Sequence, residues 1–139
     1  MKNLLSIFIL LFSFTALANE DEKLVIVASA DSQINSISRY ELIGIYMGRY
    51  RSGRDMPTLS PVDNEAYEAS FYREIINKSM SQVNSYWARL KFTGRDYQKP
   101  RKSVSSDDAI AHVLSLDGAI TYIPKKYVDE RVKIVYEIE

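Results

Sequence analysis

Five consecutive apolar residues, Leu24-Val25-Ile26-Val27-Ala28, place the tightest limit on what this chain can become. A run without polar alternation predicts a strand buried on both faces, and with it a parallel sheet that helices cover on each side. The sequence that follows supplies a helix at once. Ser38 with Glu41 forms a capping box, and Ile37 with Leu42 a hydrophobic staple, so the first free N–H groups are satisfied and the entry angle is set. This helix presents Leu42, Ile45 and Tyr46 on one side and stops near Gly48.

Further along, residues 49–56 read as a basic turn around Gly53. Thr58 to Val62, bracketed by Pro57 and Pro61, reads as a short strand or edge piece, because neither proline can donate to a ladder. Asp63 or Asn64 is expected to cap a second helix in which Tyr67, Phe71 and Ile75 recur every four residues. Ser79 or Ser81 opens a third, with Val83, Tyr86, Trp87 and Leu90 on its packed face. Residues 92–102 carry Gly and Pro with no apolar period and read as an exposed loop. Val104 is expected in a short strand. Ser105 or Ser106 then caps a fourth helix, whose first turn holds Asp107 and Asp108, the charge sign that suits a helix start. It packs through Ile110, Val113 and Leu114 and ends at Asp117-Gly118. Ala119 to Ile123 is a strand, Pro124 to Tyr127 a turn, and Val132 to Ile138 a half-exposed final strand. Strands and helices alternate without repeats, which makes the class α/β with one domain.

The first 18 residues stand apart from that fold. Lys2 precedes an apolar run from Leu4 to Phe14, and Ala16-Leu17-Ala18 offers the small-x-small pattern of a cleavage site before Asn19-Glu20-Asp21-Glu22. The segment reads as a secretory signal peptide cut after Ala18, leaving residues 19–139 as the mature domain in the periplasm or outside the cell. The run is short of the roughly 20 apolar residues that a membrane span needs. Export and the lack of cysteine are compatible, since a domain of this size buries enough surface to fold without disulfides.

Charge and composition narrow the chemistry. The full chain balances 18 basic against 18 acidic side chains, which argues against a protein built to grip nucleic acid. With no Cys and one His, thiolate metal sites, cysteine nucleophiles and His-rich centres are excluded. His112 lies one place off its helix's apolar face and reads as a boundary histidine. The adjacent acids Asp107-Asp108 and Asp129-Glu130 point apart and are not placed to share a proton. No nucleophile is paired with a base, so the chain is not expected to be an enzyme or to hold a metal or cofactor. The ten tyrosines fall mostly at core spacings, and no Gly-rich phosphate loop is present.

The charge is unevenly spread. Residues 19–75 hold 6 basic and 10 acidic side chains, whereas residues 76–139 hold 11 and 8. Most of the second excess lies in Arg89, Lys91, Arg95, Lys99, Arg101 and Lys102, interrupted only by Asp96. This stretch is the candidate dock for an anionic partner: a protein surface, a lipid headgroup or a glycan phosphate.

Several strings in order resemble the phosphate ABC-transporter substrate-binding proteins. Ser36 to Gly48 (SISRYELIGIYMG) is similar to that family's Leu-Ser, Glu-Leu and Ile-Phe-Leu-Gly signature. Pro61-Val62 followed by Phe71 resembles its next strand and helix, and Asp117 to Tyr122 (DGAITY) its Gly-Ala-Ile-Gly-Tyr strand. The resemblance spans residues 24–136 and implies a single lobe of a periplasmic-binding-protein-like fold, a mixed sheet flanked by about four helices. The family binds its anion between two lobes, with backbone N–H groups and hydroxyls at helix starts and an arginine. Here the matching stretch reads Asp63-Asn64-Glu65-Ala66-Tyr67, with two carboxylates where an anion would sit. The resemblance therefore implies fold and compartment but no ligand residues. The expected role is an accessory or partner-binding module facing a membrane or envelope protein or an ABC permease. The alternative is a true anion or small-solute binder that completes its cleft by dimerising.

Overall fold

A computed structural model describes residues 19–49, 58–94 and 97–138. The expected signal segment, the turn around Gly53, and Arg95 with Asp96 lie outside the described residues.

Strand β1 (Leu24–Ser29) is followed by helix α1 (Arg39–Tyr46) and strand β2 (Ser60–Asn64). After β2 come a 3-10 turn (Glu65–Tyr67), the short helix α2 (Glu68–Phe71) and a wide π turn (Tyr72–Ile76) that ends on the left-handed Asn77. Helix α3 (Met80–Phe92), strand β3 (Arg101–Ser103), helix α4 (Ser106–Ser115), strand β4 (Ala119–Pro124) and strand β5 (Val132–Glu137) complete the chain. The sheet order is β3-β2-β4-β1-β5.

β1 alternates between two cores. Leu24, Ile26 and Ala28 join Leu42, Ile45 and Tyr46 of α1, Phe71, Tyr72, Ile75 and Ile76, and Val83 and Trp87 of α3. Val25 and Val27 join Ile110 and Val113 of α4 on the opposite face. Burial on both faces is thus confirmed, but the expected parallel sheet is corrected. β3, β2 and β4 run parallel, while β1 is antiparallel to both β4 and β5. An apolar run reports that both faces are covered; it carries no information on strand direction. β4 and β5 flank β1 without pairing, so residues 125–131 must travel the length of β1 between them, with Val128 packed on the α4-side core.

The capping box on α1 is present: Ser38 Oγ accepts from Glu41 N–H, and Glu41 Oε2 accepts from Ser38 N–H. Ile37 and Leu42 are buried in the same cluster. Ser79 caps α3 with an equivalent box closed by Gln82, and Ser105 caps α4.

Four local expectations are corrected. Of the two alternatives around Pro61 the short strand holds, as β2, and the edge position does not, since β2 lies between β3 and β4. Ser60 N–H reaches Gly118 O on the β4 side, so alternation turns Pro61 toward β3, whose ladder begins only at Val62 opposite Arg101. Asp63 and Asn64 do not cap a helix; both are buried at the end of β2, and neither the 3-10 turn nor α2 has a side-chain cap. The loop expected over 92–102 contains the start of β3, and Val104, the expected strand residue, stands exposed after it. Leu114 is 44% exposed, leaving Ala109, Ile110 and Val113 as the packed face of α4.

Candidate functional site

The carboxyl ends of parallel strands are where open α/β sheets place their ligands, and here those of β2 and β3 meet the start of α4. Asp63 is the central residue, 3% exposed. Tyr122 donates its hydroxyl to Asp63 Oδ1 at 2.9 Å, and the Tyr72 hydroxyl lies 3.1 and 3.2 Å from Oδ1 and Oδ2. Tyr46 closes the cluster by donating to Val62 O at 3.0 Å. Phe71 stacks on Tyr122 with ring centroids 3.9 Å apart. Burial pushes the Asp63 carboxyl up to about 7; Glu68 adds to the rise, and the two tyrosine hydrogen bonds and Lys102 oppose it. Burial also drives the Tyr46, Tyr72 and Tyr122 hydroxyls well above the ordinary phenol value, with the Asp63 charge adding to each. These tyrosines are donors held in one protonation state.

Asn64 is fully buried beside this cluster. Its Nδ2 donates to Ser106 Oγ at 3.0 Å and to Tyr122 O at 3.2 Å, while Oδ1 has no partner among the described residues. Such an orphaned acceptor costs about 1–3 kcal/mol. Ser106 and Ser103 are buried too, and Ser103 Oγ is 2.7 Å from His112 Nδ1. His112 is half-buried and bonded, the boundary histidine its position predicted.

At the start of α4 the chain's own side chains engage two backbone donors, one within the first turn and one just before it. Asp108 Oδ2 accepts from Val104 N–H at 3.1 Å, and Ser105 Oγ accepts from Asp108 N–H. Lys102, the nearest cation, pairs with Glu68 at 2.6 Å. Chemically this edge of the sheet holds a buried carboxyl between two phenol donors and pairs its neighbouring cation internally.

The six basic residues singled out in the sequence have different fates. Arg89 and Lys91 stand exposed on the last turn of α3. Lys99 is exposed with Nζ 5.9 Å from the Trp87 ring centroid, and Arg101 is exposed on β3. Lys102 turns to Glu68 and leaves the set, and Arg95 lies outside the described residues. The tyrosine–aspartate cluster leaves almost no trace in the sequence. Its only signal was a carboxylate flanked by apolar Val62 and by Tyr72 nine residues on, a spacing with no local meaning.

This architecture is that of one lobe of a periplasmic-binding-protein-like fold, a mixed sheet with α1, α2 and α3 on one face and α4 on the other. No protein-family model and no curated protein sequence matches the chain. Among solved structures it is similar to an ABC-type phosphate transport receptor from Vibrio cholerae, with a TM-score of 0.53 and 17% identity over 81% of this chain and 45% of that one. It is equally similar to a protein from Clostridium perfringens described as a phosphate ABC transporter substrate-binding protein and solved with phosphate bound, with a TM-score of 0.53 and 16% identity over 81% of this chain and 44% of that one. The chain spans less than half the length of either, and the likeness is one of fold.

Proposed function

We propose that this chain is an exported, solute-binding-protein-like module that has given up the phosphate site of its structural neighbours and works as an accessory protein, docking a partner in the cell envelope. The observation that carries this reading is the carboxyl edge of β2 and β3. There a buried acid, Asp63, occupies the centre, Asp108 takes a backbone donor, and Lys102 is neutralised by Glu68. Like charge at such a spot opposes an anion instead of drawing it in. The exposed Arg89, Lys91, Lys99 and Arg101 supply the docking surface. Titration of the mature chain with phosphate in a calorimeter tests this directly. No heat of binding is expected, and micromolar affinity in the monomer would overturn it.

A second reading has its own support. A groove of about 800 Å³ opens between the loop after β1 and the turn before β4, lined by Ser29, Ser32, Thr58 and Ser60 with Asp31 and Asp117. Hydroxyls with two carboxylates suit a neutral polyhydroxylated or cationic solute, and one lobe alone leaves such a site open on one side. On this reading a second copy completes the cleft. A strict monomer in light scattering, with no thermal shift across a panel of sugars, amines and anions, would count decisively against it.

A further inference from the structure

Among the described residues the most exposed large apolar side chain is Phe92, 88% accessible at the last position of α3. It is not a core residue that failed to pack. The helix buries Val83 and Trp87 on its inner face and turns Phe92 away from them. Thr93 and Gly94 end the helix in the open: a Cβ placed on Gly94 would have no neighbour within 4 Å. The aromatic ring therefore stands at a projecting tip.

The charged side chains of α3 near that tip carry one sign, the next acid in the chain being Asp96, which lies outside the described residues. Residues 75–94 contain no Asp or Glu at all, while Arg89 and Lys91 flank Phe92 on the same final turn. Neither cation has an ion pair or side-chain hydrogen bond among the described residues. Lys99 lies over the Trp87 ring, on the packed side of the helix and away from Phe92, so it stands apart from this tip.

We propose that the C-terminal tip of α3 is a membrane-surface anchor: Phe92 enters the headgroup region of an anionic bilayer while Arg89 and Lys91 hold its phosphates. This deepens the docking reading above and rests on it. A bilayer fits these observations better than a protein partner does. A protein interface of standard size needs a cluster of apolar anchors in a matched patch, and the residues around Phe92 on the outer side are Ser85, Ala88, Thr93 and Gly94, small or polar. A lipid surface accepts a single ring with no pre-formed pocket, and long cationic side chains lie along it with their charge in the headgroups.

Co-sedimentation of the mature chain with phosphatidylcholine vesicles carrying phosphatidylglycerol tests the proposal, against pure phosphatidylcholine. Binding is expected only to the anionic vesicles and should fall with salt. Replacing Arg89 and Lys91 by Gln should weaken it roughly fivefold for each cation removed. Phe92→Ala should weaken it about tenfold and leave the melting temperature in place, as its exposure requires. Equal binding to both vesicles, or full binding by Phe92→Ala, would overturn the anchor. So would capture of an envelope protein, lost in the Arg89/Lys91 variant, by a chain that ignores vesicles. The accessory reading falls on a different result, phosphate binding by the monomer, so the two failures are distinguishable.

Discussion

Tyr122 and Asp63, 59 residues apart in sequence, are joined by a 2.9 Å hydrogen bond between adjacent parallel-strand regions of a closed core. The bond places a phenol donor from β4 on a carboxylate from β2, with the Tyr72 hydroxyl as a second donor. A carboxylate so buried is tolerable only because donors from two other elements converge on it.

Asp63 makes stability depend on pH in a direction opposite to the usual acid. Its carboxyl rises from an ordinary 3.8 to about 7 on folding, with burial as the largest cause. Between those values the folded state holds a proton that the unfolded state has released, so the contribution is complete below the lower value and lost as pH rises through the upper one. The loss amounts to roughly 4 kcal/mol between pH 4 and 7. Asp63→Asn is expected to flatten that slope in urea unfolding and to be more stable than the parent at pH 8. An unchanged slope would place the proton elsewhere.

Tyr122→Phe is expected to cost about 2 kcal/mol at pH 8, where it strips a hydrogen bond from a charged acceptor. At pH 5 Asp63 is protonated and the cost should be smaller. Equal losses at both pH values would show that the phenol does not support the charge.

Gly118 and Gly94 form a matched pair for backbone strain. Both adopt positive φ, +70° and +67°, but a Cβ on Gly118 would meet Thr58 O at 2.0 Å, whereas one on Gly94 meets nothing. Gly94→Ala should therefore cost only about 1 kcal/mol, and Gly118→Ala distinctly more, because the β2 entrance must move as well. Thermal unfolding of the two variants side by side measures the difference.

Ser38→Ala and Ser79→Ala each remove one half of a capping box. Each should cost about 1 kcal/mol, and the double variant about the sum, since the caps sit on separate helices and share no partner. A double variant no worse than either single would mean that the two helix starts are not independently held.

Much of the fold was legible because its cause is local. The Ser38 box depends on four residues, the β1 run on five, and the Asp117-Gly118 stop before β4 on a backbone angle that glycine adopts freely. A helix cap at Asp63 or Asn64 follows from the short polar side chains that cap helices elsewhere; here strand pairing with β3 claims their backbone first. Pro61 suggested an edge for the same reason, and a ladder that begins one residue later removed the penalty.

By itself, then, the sequence determined where α1, α3 and α4 begin, which strand is covered on both faces, and where basic residues cluster, since each follows from neighbours in the chain or from composition. Only the tertiary structure decided strand direction, the burial of Asp63 among Tyr46, Tyr72 and Tyr122, the pairing of Lys102 with Glu68, and the exposure of Phe92. These depend on which distant segments share a face. A carboxylate's proton affinity and a ring's access to solvent are properties of that shared environment, and no window of sequence contains it.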